Sequence, residues 1–218
     1  MSEARSAFRI VHSSVSVKFW QRQVPSVDAL RPDHCVACGV AALDVNGKLV
    51  IHGHGVRCRT VLGPAGPGEP PEEGEIAARR FRCLICRAIM VVVPGGVLRR
   101  CLFLATAIAL ALGRWAEGLP APAVRREVSP QGTPGPTAAP GWASLRRWAR
   151  TAPRLWPRSP PLARQGPWRA TALAAVAFLA SFAPLPTGRV TDDAVVGAAH
   201  FRGCPPRPGV DPGSSHHP

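Results

Sequence analysis

Hydrophobic positions repeat with two different periods in the two parts of this chain. Lys48–His52 (KLVIH) and Val56–Leu62 (VRCRTVL) alternate with the period of two that a half-buried strand needs. Between them, His52–Gly55 (HGHG) reads as a strand-to-strand turn. Pro64–Gly74 (PAGPGEPPEEG) is a turn-rich connector. Glu75–Arg82 (EIAARRFR) and Ala88–Val93 (AIMVVV) then return to strand patterns, so a three- or four-stranded antiparallel sheet is predicted. Upstream, Phe8–Val11 and Val15–Trp20 alternate enough for a short strand.

Beyond residue 97 the pattern becomes helical. Val97–Glu117 (VLRRCLFLATAIALALGRWAE) is dominated by Leu, Ala and Ile, and Gly118 suits a C-terminal stop. Its uncharged run, Cys101–Gly113, is only 13 residues. A bilayer span needs about 20, so a buried core helix is expected and no membrane span. After Gly118-Leu119-Pro120, Ala121–Val128 (APAVRREV) reads as a short helix that presents Arg125 and Arg126 and stops at Ser129-Pro130. Long helix, turn and short basic helix have the outline of a helix-turn-helix. Gln131–Pro140 is a linker. In Trp142–Leu155 the residues Trp142, Leu145, Trp148 and Ala149 share one helical face, and Arg146, Arg147 and Arg150 take much of the rest. Ala170–Phe182 is a second apolar helix, bounded by Pro184 and Pro186. Thr187–Pro218 is a Gly/Pro-rich tail with no function assigned to it.

Composition sharpens this picture. Gly (21 residues) and Pro (25 residues) concentrate after Gly118, which predicts a folded front two-thirds and a weakly ordered C-terminal third. The 218-residue chain carries a net charge of +14. Between Glu127 and Asp192 there is no carboxylate, while arginines accumulate. Such a balance points to a polyanionic partner, nucleic acid first and an anionic membrane surface second. The preference for Arg over Lys, with abundant Ala, Gly and Pro, is also what a GC-rich genome yields. The sign of the charge is physical whatever its origin.

The chemistry lies in the cysteines. Cys35/Cys38 (HCVACG) and Cys83/Cys86 (RCLICR) are two Cys-x-x-Cys pairs. Each can present two thiolates on one tight turn, and two such turns give the four sulfurs that a structural Zn²⁺ prefers. Compact zinc ribbons often separate their pairs by about 15–20 residues; here 44 lie between Cys38 and Cys83, so the insert must itself be a β-structured excursion. His34, His52 and His54 are nearby alternatives to a thiolate. Cys58 reads as a buried strand residue, Cys101 as a core residue of the apolar helix, and Cys204 falls in the tail. Seven cysteines is an odd number, and MSEARSAFRIVHSS has no apolar targeting core, so a reducing cytoplasm is expected rather than a disulfide framework. A redox Cys-x-x-Cys opens a helix, whereas both pairs here read as turns on strands. No Ser/His/Asp set or paired carboxylates stand out, and AGPGEPP lacks the GK[ST] of a phosphate-binding loop.

The order CxxCG, HGHGVRCR, RRFRCLIC and VVVP resembles the N-terminal zinc-binding domain of bacterial insertion-sequence transposases. It is most similar to a short Arg-rich bacterial family of unknown function that shares this front end. The matching positions are Cys35, Cys38, His52, Gly53, Arg57, Arg79, Arg80, Phe81, Cys83 and Cys86. The resemblance covers roughly residues 32–150. It implies Cys35, Cys38, Cys83 and Cys86 as zinc ligands and phosphate contacts from Arg79, Arg80 and Arg82. Full transposases continue into a catalytic domain with three carboxylates that hold two metals. Here the acids beyond the helix-turn-helix region are Asp192, Asp193 and Asp211, in or near the tail.

The expectation is therefore an α+β protein: an N-terminal extension (1–31), a small antiparallel zinc-ribbon-like sheet (32–94), a helix-turn-helix-like region (97–155) and a C-terminal region (156–218) with one apolar helix at 170–182. Its expected function is zinc-dependent DNA binding of mobile-element origin without catalysis, through Arg79, Arg80, Arg82, Arg125, Arg126, Arg146, Arg147 and Arg150. The alternatives are a zinc-ribbon protein–protein interaction module that uses the apolar helices, and an inactive transposase remnant.

Overall fold

Hydrogen-bond pairing along one long hairpin organises the front of the molecule. The structure is a computed structural model, and it describes residues 9–131, 142–156 and 168–201. Strands β1 (Arg9–His12), β2 (Ile51–Gly63), β3 (Glu72–Cys83) and β4 (Ile89–Val93) form one sheet in the order β1-β4-β3-β2. Helices α1 (Val17–Arg22), α2 (Ala105–Ala116), α3 (Ala121–Val128), α4 (Ala143–Leu155), α5 (Trp168–Ala180) and α6 (Val190–His200) complete a mixed α+β architecture. No helix among the described residues is long and apolar enough to cross a membrane.

β2 and β3 pair antiparallel from Ile51↔Cys83 to Gly63↔Glu72. The expected turn at His52–Gly55 is absent: β2 runs straight through it. Gly53 faces Phe81 and Val56 faces Arg79, so His54 and Gly55 together oppose Arg80 alone. This is a β-bulge, and its one extra residue reverses which face the following side chains occupy. Ile51 lies on the side of Phe81 and Cys83; Arg57, Arg59 and Val61 lie on the side of Ala78 and Ile76. β4 is central and reads as a continuous apolar run, with Met90, Val92 and Val93 all buried.

The sheet is not purely antiparallel. β1 pairs parallel with β4, from Arg9↔Met90 to His12↔Val93. Parallel partners need a long crossover, and the whole of residues 13–88 supplies it. That partnership leaves no local trace in the sequence. Within Val15–Trp20, expected as strand, Val17–Trp20 belong instead to α1, capped by the Ser16 hydroxyl, which accepts from the Phe19 amide at 3.3 Å. Trp20 is buried, and its indole Nε1–H donates to the Ala77 carbonyl at 3.1 Å.

The apolar run Val97–Glu117 is helical only from Ala105. Residues 97–104 form a loop whose backbone is claimed by β2. The Leu62 amide donates to the Leu102 carbonyl at 2.9 Å, and the Leu104 amide donates to the Leu62 carbonyl at 3.0 Å. The Arg59 guanidinium donates to the Leu98 carbonyl at 2.7 Å and also to the Cys101 carbonyl. α2 then starts, and every residue from Ala105 to Gly113 is buried. It is apolar all round because β2, α3, α4, α5 and α6 surround it.

The C-terminal region holds two packed helices rather than one. α6 lies where a structureless tail was expected. Its Asp193 carboxylate accepts from the Thr187 amide at 2.6 Å and from the Thr187 hydroxyl at 2.8 Å, which fixes the helix entry. Its Ala194, Val195 and Ala198 are buried, and it packs on α2 and α5. Phe201 closes an edge-to-face cluster with Phe178 and Phe182, at centroid distances of 6.4 and 5.4 Å. The expected face of α4 is present: Leu145, Trp148 and Ala149 are buried, and Trp142 and Trp148 stack edge-on with Phe103. The linker expected at Gln131–Pro140 beyond Gln131 lies outside the described residues, as does the tail from Arg202.

The α5–α6 contact can be tested. A Cβ on Gly197 would overlap the carbonyl oxygen of Leu179, a backbone atom that cannot rotate away. Gly197→Ala is expected to destabilise the protein by roughly 1–3 kcal/mol, as overpacking does, read as a lowered denaturation midpoint. An unchanged midpoint would mean that α6 does not dock on α5.

Candidate metal centre

Two tight turns carry the four sulfurs, and they are built alike. In the first, the Cys35 amide donates to the Val40 carbonyl at 2.8 Å; in the second, the Cys83 amide donates to the Ala88 carbonyl at 3.0 Å. The residue after the second cysteine is left-handed in both: Gly39 at φ +76° and Arg87 at φ +62°. Gly39 takes this conformation without strain, whereas Arg87 has a Cβ that opposes it.

Hydrogen bonding brings the turns together. Cys83 ends β3 opposite Ile51, and the next amide, Leu84, donates to the Val50 carbonyl at 2.9 Å. The Val50 amide donates to the Ala42 carbonyl, and the Ala42 amide to the Asp33 carbonyl, each at 2.8 Å. Residues 41–50 thus form a short excursion from the first turn back to the second. Its tip is set by the Asp44 carboxylate, which accepts from the amides of Asn46 and Lys48 at 2.9 and 2.8 Å. Arg31 donates to the Ile51 carbonyl at 2.6 Å and ties the preceding segment to the same point.

The result is a compact group of four thiol sulfurs, all within 4.8 Å of one another. Cys35 Sγ lies 3.6 Å from Cys86 Sγ, and Cys38 Sγ lies 3.8 Å from Cys83 Sγ. A disulfide needs about 2.05 Å. A tetrahedron with metal–sulfur bonds of about 2.3 Å has sulfurs about 3.8 Å apart. The donor set therefore fits a metal ion with a preference for soft ligands. Cys35 and Cys83 are buried, and Cys38 and Cys86 face solvent. Among the described residues no histidine joins the group; His52 Nε2 lies 2.9 Å from the Leu49 carbonyl instead.

The thiols differ in acidity. Burial works to raise Cys35, but hydrogen bonds from the Ala37 and Cys38 amides and from Cys86 outweigh it, and its pKa falls below the ordinary thiol value. Cys38 is pushed up to about 12, first by burial and then by the neighbouring sulfurs. Burial also raises Cys86. A metal would thus find Cys35 readier to lose its proton than Cys38 and Cys86, whose protons it would displace.

The arginines singled out in the sequence lie on three elements. On β3, Arg79, Arg80 and Arg82 are half-buried. Arg79 is engaged inside the protein, its Nε–H donating to the Pro25 carbonyl at 3.2 Å. On α3, Arg126 is exposed, Arg125 is half-buried, and the adjacent Glu127 accepts from Arg114 at 3.1 Å. On α4, Arg146, Arg147 and Arg150 are all exposed and opposite the buried face.

Two cysteine expectations are corrected. Cys58 is exposed on β2 beside Glu75, because residues 52–58 of this edge strand are exposed on both faces. Cys101 is half-buried in the loop before α2, not on the helix. Burial raises its thiol, and Arg59 and Arg147 partly offset this. Cys204 lies outside the described residues. Arg59, Arg99 and Arg100 do not stand out from the sequence pattern. The Arg99-Arg100 pair does interrupt an otherwise apolar run, which is the one local signal for a loop there.

The left-handed residues give a paired prediction. A Cβ on Gly39 meets open space, so Gly39→Ala should cost only the conformational strain, about 1–2 kcal/mol. Arg87→Gly should be neutral or stabilising, since it removes that strain against an unfolded-chain entropy of about 0.4–1 kcal/mol. Denaturation midpoints of the two variants should move in opposite directions or only the first should fall; a fall for Arg87→Gly would show that its side chain holds the turn. No family model, no curated protein and no solved structure matches this chain.

Proposed function

We propose that this chain is a zinc-clasped DNA-binding protein of mobile-element origin that performs no catalysis. The observation that carries the reading is the four-sulfur group, with cross-turn distances of 3.6 and 3.8 Å. Four thiolates in a closed tetrahedron make a structural site, with no open position for substrate. Hard cations such as Ca²⁺ and Mg²⁺ take oxygen ligands. A tetrahedral four-thiolate set suits zinc, and in this reading the ion's role is to join the excursion at residues 35–50 to the end of the β2–β3 hairpin.

The DNA contact falls to α4 in this reading. α2, the first helix of the proposed helix-turn-helix, is enclosed along Ala105–Gly113. α3 offers one exposed arginine next to an acid. α4 offers Arg146, Arg147 and Arg150 on one solvent-facing side. Its opposite face is anchored by Leu145, Trp148 and Ala152, so the arginines are held on a rigid support. A net charge of +14 supplies the long-range attraction. A protein-interaction role for the apolar helices has less to draw on: α2 is enclosed, and α5 leaves only Trp168 and Leu173 exposed among its large apolar residues.

Metal content is the first test. Freshly purified, reduced protein should hold about one zinc per chain, and Cys83→Ser/Cys86→Ser should lose both the zinc and the folded front end. Protein that carries no zinc when made in zinc-replete medium would overturn the clasp.

DNA binding is the second. Affinity for a labelled duplex should fall steeply as salt rises, because each neutralised phosphate releases counterions. Charge reversal at Arg146, Arg147 and Arg150 should abolish most of the binding. Binding insensitive to salt, or intact in that variant, would contradict the assignment.

A further inference from the structure

Between the sheet and residues 99–102 lies a groove of about 620 Å³. Its floor is aliphatic, with Ile10, Ala78, Val91 and Val93. Its rim carries the guanidinium groups of Arg57, Arg99 and Arg100, and among the described residues no carboxylate lines it. We propose that this groove is a second phosphate-binding surface, which takes the sugar-phosphate backbone of the DNA that α4 holds. The inference rests on the DNA-binding reading and extends it to residues on different elements.

Three features build the groove. The bulge at His54–Gly55 turns Arg57 and Arg59 onto this face of the sheet, where Ala78 lies opposite Arg57. Arg59 does not face a ligand with its own charge. Its guanidinium holds the carbonyls of Leu98 and Cys101, the residues on either side of Arg99-Arg100. It is a positioning residue that braces a loop carrying two exposed cations. Finally, Arg100 sits at φ +57°, where glycine would be free of strain.

The occupant follows from complementarity. Cations on a sheet strand and on a loop, with no acid in the lining between them, fit an extended anion. The aliphatic floor offers no ring on which a base could stack and suits a deoxyribose. The groove also adjoins α4: Phe103, next to Leu102 of its lining, stacks edge-on with Trp142 and Trp148. A phosphate strand lying along it would thus continue past the exposed face of α4. Such contacts position the DNA and carry no sequence information.

The test compares full-length variants on a labelled duplex across a salt series. Removing one arginine that neutralises a phosphate should reduce the salt slope by about 0.9. Arg57→Ala/Arg99→Ala/Arg100→Gly should therefore lower the slope by up to about 3 and weaken different duplex sequences alike. Arg100→Gly alone suits the left-handed backbone, so it should keep or raise the denaturation midpoint while the slope drops by about one unit. If the wild-type protein shows no salt-dependent DNA binding, the functional reading and this inference both fall. If the wild type binds and the α4 variant loses binding while the groove variants keep the full slope, only the groove inference is overturned. A weaker affinity with an unchanged slope also overturns it, since these arginines would then act on something other than phosphate.

Discussion

The β2–β3 ladder is the constraint on which the rest of the structure depends. Its closing pair, Ile51↔Cys83, sets one half of the sulfur group beside the strand that leads back to the other half. Its far end brings Leu62 to the backbone of residues 102–104, where α2 begins. Its bulge decides which side chains face which way between these ends. A slip of one residue in this register would move every side chain of one strand to the wrong face. The two turns would then miss each other, and Arg57 would leave the groove. Cross-strand hydrogen bonding therefore sets the geometry of the four sulfurs, helix placement and charge display together.

Electrostatics gives the same front end a direction. Many of the acids are engaged at home: Glu117 and Glu127 with Arg114, Asp28 with Arg31, Glu69 with Lys18, and Asp192 with Arg189. These exposed or half-exposed pairs add little stability. Their effect on the field is larger, because an acid already paired is not available to neutralise an arginine elsewhere. The exposed arginines outside these pairs include Arg146, Arg147 and Arg150 on α4 and Arg99 and Arg100 on the loop before α2.

Legibility followed the range of the interactions. The cysteine quartet was readable because the two-residue spacing in each pair is itself the chemistry. β3, β4, α3, α4 and α5 were readable because their periods are local. The bulge at His54–Gly55 looked like a turn, since glycine and histidine mark either. Residues 97–104 looked helical because apolar content alone does not distinguish a helix from a loop whose partners lie on β2. β1 was readable as a strand at Phe8–Val11, but its parallel pairing depends on β4, far along the chain. α6 hides among Gly and Pro, and its Ala/Val stripe has meaning only against α2 and α5. In each miss, the deciding partner was distant in sequence.

The enclosure of α2 has a consequence for how the protein is made. This helix is the centre of the helical layer, yet α6, one of the elements that cover it, is synthesised long after it. A nascent chain therefore leaves the ribosome with an Ala- and Leu-rich helix only partly covered. At translation speeds of about 5–20 residues per second, that interval lasts for seconds. Biosynthesis of this protein thus has a built-in window in which α2 is only partly covered, and it closes when α6 emerges and docks.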